Sequence, residues 1–232
     1  MPGDSTGGMA GDWVVNRARG TAADFHAREV VELVERSVSV FDVDGPALVL
    51  GSTQPENHVD KAALAAAGVD LVRRRSGGGA VLLVPGDVLW VDVVVPRGDE
   101  CWRDDVSRAG HWLGRVWQLA LADLGVVTAT VHTGALVSTP WSSLVCFAGL
   151  GPGEVSVGGR KLVGTSQRRT RSGARFQCVV HRHWDPSPLL HLLALDDDER
   201  ARGKAALAGV ATGLDHPLDE MVEAFLGRLP VP

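Results

Sequence analysis

The first group of residues that could do chemistry joins three cations to a glycine-rich turn. Three arginines at 73–75 are followed directly by Ser76 and by three glycines at 77–79. Backbone N–H groups without bulky side chains can form an anion-binding hollow, and arginine forks bind phosphate or carboxylate in a bidentate manner. The pattern matches neither the P-loop nor the dinucleotide-binding fingerprint. It predicts a site for an anionic or activated group; the alternative is a solvated strand end followed by a flexible turn.

The second group surrounds a lysine inside a strand-like run, Lys161 within residues 160–167. Burying an ammonium group is costly unless an anion or other acceptors meet it, so this position predicts a ligand-binding role. Strand alternation places Lys161 on one face with Val163 and Thr165, and the neighbouring Gly164 leaves room for a close approach. The alternative is an edge-strand lysine that blocks aggregation.

The third feature is a thiol, Cys146, at the end of a predicted strand over residues 143–147. A thiol near cationic groups can act as a nucleophile, whereas an isolated cysteine is more often a small core residue. Cys101 and Cys178 are interpreted as core residues. His181 and His183 share a strand face without an acidic or thiol partner at a metal-ligand spacing, so no metal site is predicted.

The elements that must position these residues are short strands in the middle of the chain and helices towards its ends. Helices are predicted over residues 21–36, with Thr21 as N-cap, over 59–67 before Gly68, and over 102–124. Strands are predicted over the intervening segments, with a two-residue hairpin turn at Gly158 and Gly159. This order predicts an α+β fold, a single domain whose mixed or mostly antiparallel sheet is flanked by helices.

The composition limits the function classes. The 232 residues carry a net charge of −5, with 45% hydrophobic and 22% charged residues, which predicts a globular domain that binds neither nucleic acid nor membrane. Three cysteines without a CxxC pair, and a polar N-terminus, predict a cytoplasmic protein. A disordered tail is expected over residues 1–11 and one domain over 12–232.

Two motifs in this order resemble the lipoate–protein ligase A family, within the larger group of biotin and lipoate protein ligases and octanoyltransferases. The motifs are Arg-Arg-Arg-Ser-Gly-Gly-Gly-Ala-Val at 73–81 and Gly-Arg-Lys-Leu-Val-Gly-Thr-Ser-Gln-Arg-Arg at 159–169. The resemblance covers roughly residues 12 to 215 and implies the biotin/lipoate protein ligase catalytic-domain fold.

The resemblance implies a role for each matching residue. Lys161 would contact the acyl carbonyl and the α-phosphate. The loop residues would hold the acyl chain and the activated phosphate or pantetheine end; they are Arg74, Arg75, Ser76, Gly77, Gly78, Gly79 and Ala80. Three residues of the second motif, Gly164, Thr165 and Ser166, would line the same pocket. The implied substrate is a lipoyl or octanoyl group. The implied acceptor is a lysine on a lipoyl carrier domain of a 2-oxoacid dehydrogenase or on the glycine cleavage H protein.

Two departures from the family pattern leave the mechanism open. The His-Asp pair that commonly follows the glycine motif is replaced here by Leu83 and Val84, and the ligase's extra C-terminal domain is not expected within these 232 residues. Cys146 stands where one octanoyltransferase subfamily has its nucleophile, although that subfamily usually interrupts the glycine triplet.

The first prediction is a ligase that uses ATP and Mg²⁺ to form an acyl-adenylate. The first alternative is a cofactor-independent transferase that takes octanoate from acyl carrier protein onto Cys146. A second alternative is a non-catalytic acyl- or nucleotide-binding relative.

Overall fold

The computed structural model of the chain describes residues 6–10, 12–28 and 35–231. Within these ranges the chain forms strands and α-helices with the following bounds. The strands are β1 (Thr6–Ala10), β2 (Trp13–Gly20), β3 (Ser37–Val43), β4 (Ala47–Leu50), β5 (Asp70–Arg73), β6 (Val81–Leu83), β7 (Val88–Pro96), β8 (Ala129–Val131), β9 (Val155–Val157), β10 (Arg160–Arg169) and β11 (Gly173–His181). The helices are α1 (Ala22–Ala27), α2 (Lys61–Ala67), α3 (His111–Asp123), α4 (Ser187–His191), α5 (Asp197–Leu207) and α6 (Leu218–Leu226).

The strands form two sheets. The large sheet has the order β1-β2-β3-β7-β11-β10-β9-β8, and its pairs are antiparallel except for the parallel pair β2–β3. The small sheet has the order β5-β4-β6. This architecture confirms the predicted α+β domain with a mixed, mostly antiparallel sheet flanked by helices.

The sheets and helices stack in layers. Helices α3 and α6 cover one face of the large sheet, where Trp117 and Phe225 pack with ring centroids 4.4 Å apart. The small sheet covers the other face, with Phe25 and Trp90 at the contact, and α2, α4 and α5 lie outside it. Burying each such side chain contributes roughly 1.5–3 kcal/mol, so the two sheets are held firmly against each other.

Four of the predicted segments differ from the structure, three of them outside the turn at Cys146. Helix α1 begins at the predicted N-cap Thr21 but ends at residue 27; residues 35 and 36 are not helical, and 29–34 lie outside the described residues. The predicted helix over 102–124 begins only at His111, because Asp99 and Asp105 accept backbone N–H groups and stabilise turns. In the segment expected to be disordered, residues 6–10 pair with β2, since strand pairing needs only main-chain groups; residues 1–5 and 11 lie outside the described residues.

The predicted strand over 143–147 is instead a single bridge followed by a 3-10 turn, Cys146–Ala148. Val145 bridges Ala80 in parallel, with Cys146 N donating to Ala80 O at 2.9 Å. The chain then turns because the carbonyl groups of Cys146 and Gly149 accept hydrogen bonds from a side chain of β10. This turn places Cys146 between the two sheets.

The loop between β5 and β6 packs main chain against main chain at this bridge. A Cβ atom on Gly79 would lie 2.6 Å from the nitrogen of Val145, closer than such atoms approach, and Ala80 N donates to Leu144 O at 2.7 Å. A Cβ atom on Gly77 would meet nothing within 4 Å. Close packing therefore requires glycine at 79 but not at 77.

Replacing Gly79 by alanine is expected to destabilise the protein by about 1–3 kcal/mol, because the backbone of residue 145 must move. The matched change Gly77→Ala is expected to alter the free energy of unfolding by less than about 0.5 kcal/mol. Urea unfolding of both variants measures the difference; equal stabilities would contradict the described packing of the loop.

Candidate active site

The lysine singled out in the sequence lies on an interior strand of the large sheet. Strand β10 pairs with β11 on one side and β9 on the other, and the Lys161 side chain is only 3% exposed. The alternative of an edge-strand lysine that blocks aggregation is therefore wrong.

An irregularity in β10 decides the face on which this lysine lies. The pairing with β9 shifts register between Lys161 and Val163, so Leu162 and Val163 both reach the core under α3 and α6. The Cε atom of Lys161 consequently lies 3.3 Å from the place a Cβ would take on Gly164. The predicted shared face with Val163 and Thr165 is wrong, because a bulge interrupts strict alternation.

All three N–H donors of this ammonium group have acceptors. Lys161 Nζ lies 2.6 Å from Oε1 of Glu154 and donates to the carbonyl oxygens of Cys146 at 3.0 Å and Gly149 at 3.1 Å. The ammonium also lies 4.9 Å from the centre of the Phe147 ring. The segment that carries the thiol is thus tied directly to the buried cation.

The carboxylate of this pair, Glu154, is a functional candidate that sequence reasoning missed. It is 6% exposed; Oε1 also accepts from Thr165 N at 3.0 Å, and Oε2 accepts from Gly151 N at 2.6 Å. A charged residue at the start of a strand in an otherwise small and apolar stretch was the available signal. Removing one partner of a buried pair leaves an uncompensated charge, so Glu154 is needed wherever Lys161 is buried.

The glycine-rich loop and β10 meet in space, although 90 residues separate their contacting serines. Ser76 Oγ donates to Ser166 Oγ at 3.0 Å. Through the bridge between Ala80 and Val145, the same loop also adjoins the segment that Lys161 holds. The two motifs therefore converge on the space between the sheets.

The arginines before the loop bind main-chain carbonyls. Buried Arg74 donates to the carbonyl oxygens of Val49, Gly77 and Gly79. Its neighbour Arg73 donates to two further carbonyl oxygens, those of Gly51 and Gln54. Arg75 is exposed. Arg73 also lies 3.6 Å from a carboxylate oxygen of Glu56. Arg74 thus holds the glycine-rich loop, and Arg73 holds the segment over residues 51–56.

A cavity lies between the two sheets beside the turn at Cys146. Its apolar lining comes from both sheets and the turn: Val49, Val81, Leu83, Trp90, Phe147 and Val179. Its other lining residues are His26, Arg74, Cys146, Gly164, Thr165, Ser166 and Gln177. Five of the residues predicted for the site, namely Arg74, Cys146, Gly164, Thr165 and Ser166, thus border one largely apolar cavity. The exposed glycines 77 and 78 do not border it.

A polar network at this cavity was also missed in the sequence. The Asp92 carboxylate pairs with Arg175 and accepts from Trp90 Nε1, deep between the sheets. Gln177 lies within 3.4 Å of both Asp92 Oδ1 and His26 Nδ1. Burial, with the nearby cations Arg175 and Arg74, lowers the pKa of His26 to about 3, so this imidazole is neutral. The only signal in the sequence is that Asp92, Arg175 and Gln177 are polar residues within otherwise apolar strands, β7 and β11.

On the other side of Phe147 stands a second buried imidazole, His181. Its ring centroid lies 4.7 Å from that of Phe147, in an edge-to-face arrangement. Burial lowers the pKa of His181 to about 4; Asp87 opposes this shift and the Lys161 cation adds to it. His183 instead pairs with Asp87 near the surface.

Across the described ranges, no three His, Cys, Asp or Glu side chains are grouped as a metal site would need, and no helix is long and apolar enough to cross a membrane.

Comparisons with known proteins agree with this architecture. Residues 26–225 match the family model of the lipoyl protein ligase A/B catalytic domain. Because this match extends over most of the chain, the protein belongs to that family.

Individual relatives are more distant. Octanoyltransferase LipM of an Exiguobacterium species is 26% identical over 178 residues, which are 72% of this chain and 63% of the relative. The chain thus spans less than two thirds of that protein's length. A bi-partite lipoate protein ligase of Thermoplasma acidophilum, solved in a study with its E2 lipoyl domain, has a TM-score of 0.70 at 17% identity, covering 95% of this chain and 82% of its own. Lipoate-protein ligase A bound with ATP has a TM-score of 0.65 at 18% identity, covering 94% and 83%.

A double-mutant cycle on the buried ion pair is expected to show strong coupling. Glu154→Gln and Lys161→Met should each destabilise the protein by about 3–5 kcal/mol, and the double variant by about 1–3 kcal/mol less than their sum. The exposed pair Arg17 and Glu223 is the matched control, with an expected coupling below about 1 kcal/mol. The pairing would be contradicted if urea unfolding showed that the destabilisation in the double variant equals the sum of those in the two single variants.

The buried imidazole at 181 is expected to make stability fall in mild acid. Its folded pKa of about 4 lies below the unfolded value near 6.5, so its contribution is complete above pH 6.5 and is lost as the pH falls towards 4. Between pH 6.5 and 5 this amounts to about 2 kcal/mol, which His181→Gln should remove from the pH dependence of urea unfolding. The same change at exposed His191 is the control, and an unaltered slope in the 181 variant would refute the assignment.

Proposed function

We propose that this chain moves a lipoyl- or octanoyl-type acyl group from a thioester donor to a lysine of a lipoyl carrier domain, through a covalent intermediate on Cys146. The observation that carries the proposal is the position of Cys146: it borders the apolar cavity while its carbonyl group binds the buried Lys161 ammonium. A thiol that borders an apolar cavity, on a turn fixed by a buried cation, is placed for nucleophilic acyl transfer. The similarity to an octanoyltransferase also supports acyl transfer without a nucleotide.

The reaction proceeds in two balanced steps. Cys146 loses its proton and its thiolate attacks the donor thioester, forming a new thioester on Cys146; the donor leaves as a thiolate and takes up the proton that Cys146 lost. The ε-amine of the acceptor lysine then attacks this intermediate, forming an amide and restoring the Cys146 thiol. Lys161, whose charge Glu154 balances, holds the Cys146 turn in place through its hydrogen bond to the Cys146 carbonyl group and so positions the thiol for both steps.

The residues expected to hold a nucleotide are already engaged within the protein. The Lys161 ammonium has three acceptors, one of them a carboxylate at 2.6 Å that would repel an α-phosphate. Arg74 donates to three carbonyl groups of the protein, and Gly79 is required by packing. The described residues therefore do not fit ATP and Mg²⁺, which supports the route that needs no nucleotide.

The partners follow from the two steps. An acyl carrier protein is the proposed donor, because the first step needs a thioester with a good thiol leaving group. The proposed acceptor is the lysine of a lipoyl domain, on a 2-oxoacid dehydrogenase or on the glycine cleavage H protein, as the family resemblance implies. We place this activity in the single domain over residues 12–232 and in the cytoplasm.

Incubation with octanoyl-acyl carrier protein is expected to yield an octanoyl adduct by intact mass spectrometry, and Cys146→Ala should abolish it. Cys101→Ala is the control, because burial raises the pKa of the Cys101 thiol to about 11 and its adduct yield should match the unaltered protein. Addition of a lipoyl domain should then transfer the octanoyl group. Full transfer by Cys146→Ala would exclude the proposed intermediate.

Ligase activity, the first prediction from the sequence, is the second candidate. It is favoured by the exposed main chain at Gly77 and Gly78, with the exposed Arg75 before them. A ligase would show ATP–pyrophosphate exchange that depends on lipoate or octanoate and persists in Cys146→Ala. Absence of both exchange and adduct would leave the non-catalytic acyl- or nucleotide-binding alternative.

A further inference from the structure

The cavity between the sheets has two chemically different ends. A Cβ on Gly164 would lie 2.9 Å from the Phe147 ring, so the strand pair Gly164–Val179 marks the end beside Cys146. The next pair on the same face, Ser166–Gln177, lies two residues further along the strands, or about 7 Å away. An acyl chain attached at Cys146 would therefore point its far end towards Gln177.

The side-chain amide of Gln177 is oriented by its neighbours. A carboxylate only accepts hydrogen bonds, so the atom of Gln177 within 3.4 Å of Asp92 Oδ1 must be the NH₂ nitrogen. Asp92 in turn is held by Arg175 and Trp90. This leaves Oε1 of Gln177 as an acceptor for which the described residues provide no partner.

The imidazole of His26 is a donor at the same end. Since this ring is neutral and its Nδ1 receives the Gln177 amide at 3.4 Å, its proton resides on Nε2. Among the described residues, no acceptor binds this Nε2–H group. His26 is 8% exposed and borders the cavity.

The third polar group is the guanidinium of Arg74, which is 5% exposed and also borders the cavity. All its hydrogen-bond partners in the described part of the chain are carbonyl oxygens, so no carboxylate there balances its charge. Its Nε atom is buried without a partner. The cavity is therefore bordered by the His26 donor, the Gln177 acceptor and a cation that no carboxylate of the described residues balances.

We propose that this end of the cavity binds an oxygen-bearing terminus, so that the preferred substrate is an acyl chain with a hydroxyl or carboxylate at its far end; this rests on the proposed acyl transfer. A plain hydrocarbon end would displace water from His26 Nε2–H and Gln177 Oε1 and would leave their hydrogen bonds unmade. Each such group weakens binding by about 5- to 150-fold. A terminal oxygen accepts from His26 and Arg74, and a hydroxyl also donates to Gln177.

The test uses the unaltered protein and three probes of equal chain length: the N-methylamides of octanoic acid, of 8-hydroxyoctanoic acid and, at one end only, of octanedioic acid. The amide head mimics the thioester and removes the head carboxylate. Isothermal titration calorimetry is expected to give at least tenfold tighter binding for one or both oxygen-bearing probes than for the octanoyl probe. Equal binding of all three, tighter binding of the octanoyl probe, or no binding of any of them would overturn the proposal.

A substitution at Gln177 tests whether the preference for oxygen-bearing probes arises at this end of the cavity. Gln177→Leu makes the end more apolar and should reduce the preference for the oxygen-bearing probes at least fivefold. Gln118→Leu on α3, outside the cavity, is the matched control and should keep the preference. An unchanged preference in the 177 variant would overturn the assignment. Selective binding without any adduct on Cys146 would refute the acyl transfer and leave the binding inference standing.

Discussion

One buried cation organises the centre of this protein. An ammonium group cannot be stable between two sheets unless its donors are satisfied, and Lys161 reaches this state through Glu154 and the carbonyl groups of Cys146 and Gly149. Those three acceptors belong to one stretch of chain that leaves the bridge at residue 145 and returns as β9. The turn that carries Cys146 is therefore shaped by the lysine it faces.

The same constraint links the glycine-rich loop to the site. Because residue 145 bridges Ala80, any movement of the turn is transmitted to the loop, where Gly79 leaves no room for a side chain. A Cβ on Gly51 would likewise collide with the carbonyl of Gly78. The glycines thus serve two purposes, close main-chain packing and exposure of main-chain groups, and the uninterrupted triplet does not by itself indicate nucleotide binding.

Opposite ends of the cavity present different chemistry. At one end lies Cys146, whose carbonyl group binds a cation that Glu154 balances. At the other end His26 and Gln177 are held by the ion pair of Asp92 and Arg175. Both ends depend on buried ion pairs, those of Lys161 with Glu154 and of Asp92 with Arg175, so Cys146 and the far end keep a constant separation.

The sequence by itself determined much of this protein: the α+β class, most strands, the helix caps at Thr21 and Gly68, and the two motifs. These features follow from local periodicity and capping, which depend on neighbouring residues. Only the tertiary structure decided that Lys161 faces Gly164, that residues 146–148 turn, and that Glu154, His26 and Gln177 join the site. Each of these features depends on a contact between residues distant in the chain or on a bulge. Such contacts and bulges leave no periodic signal in the sequence.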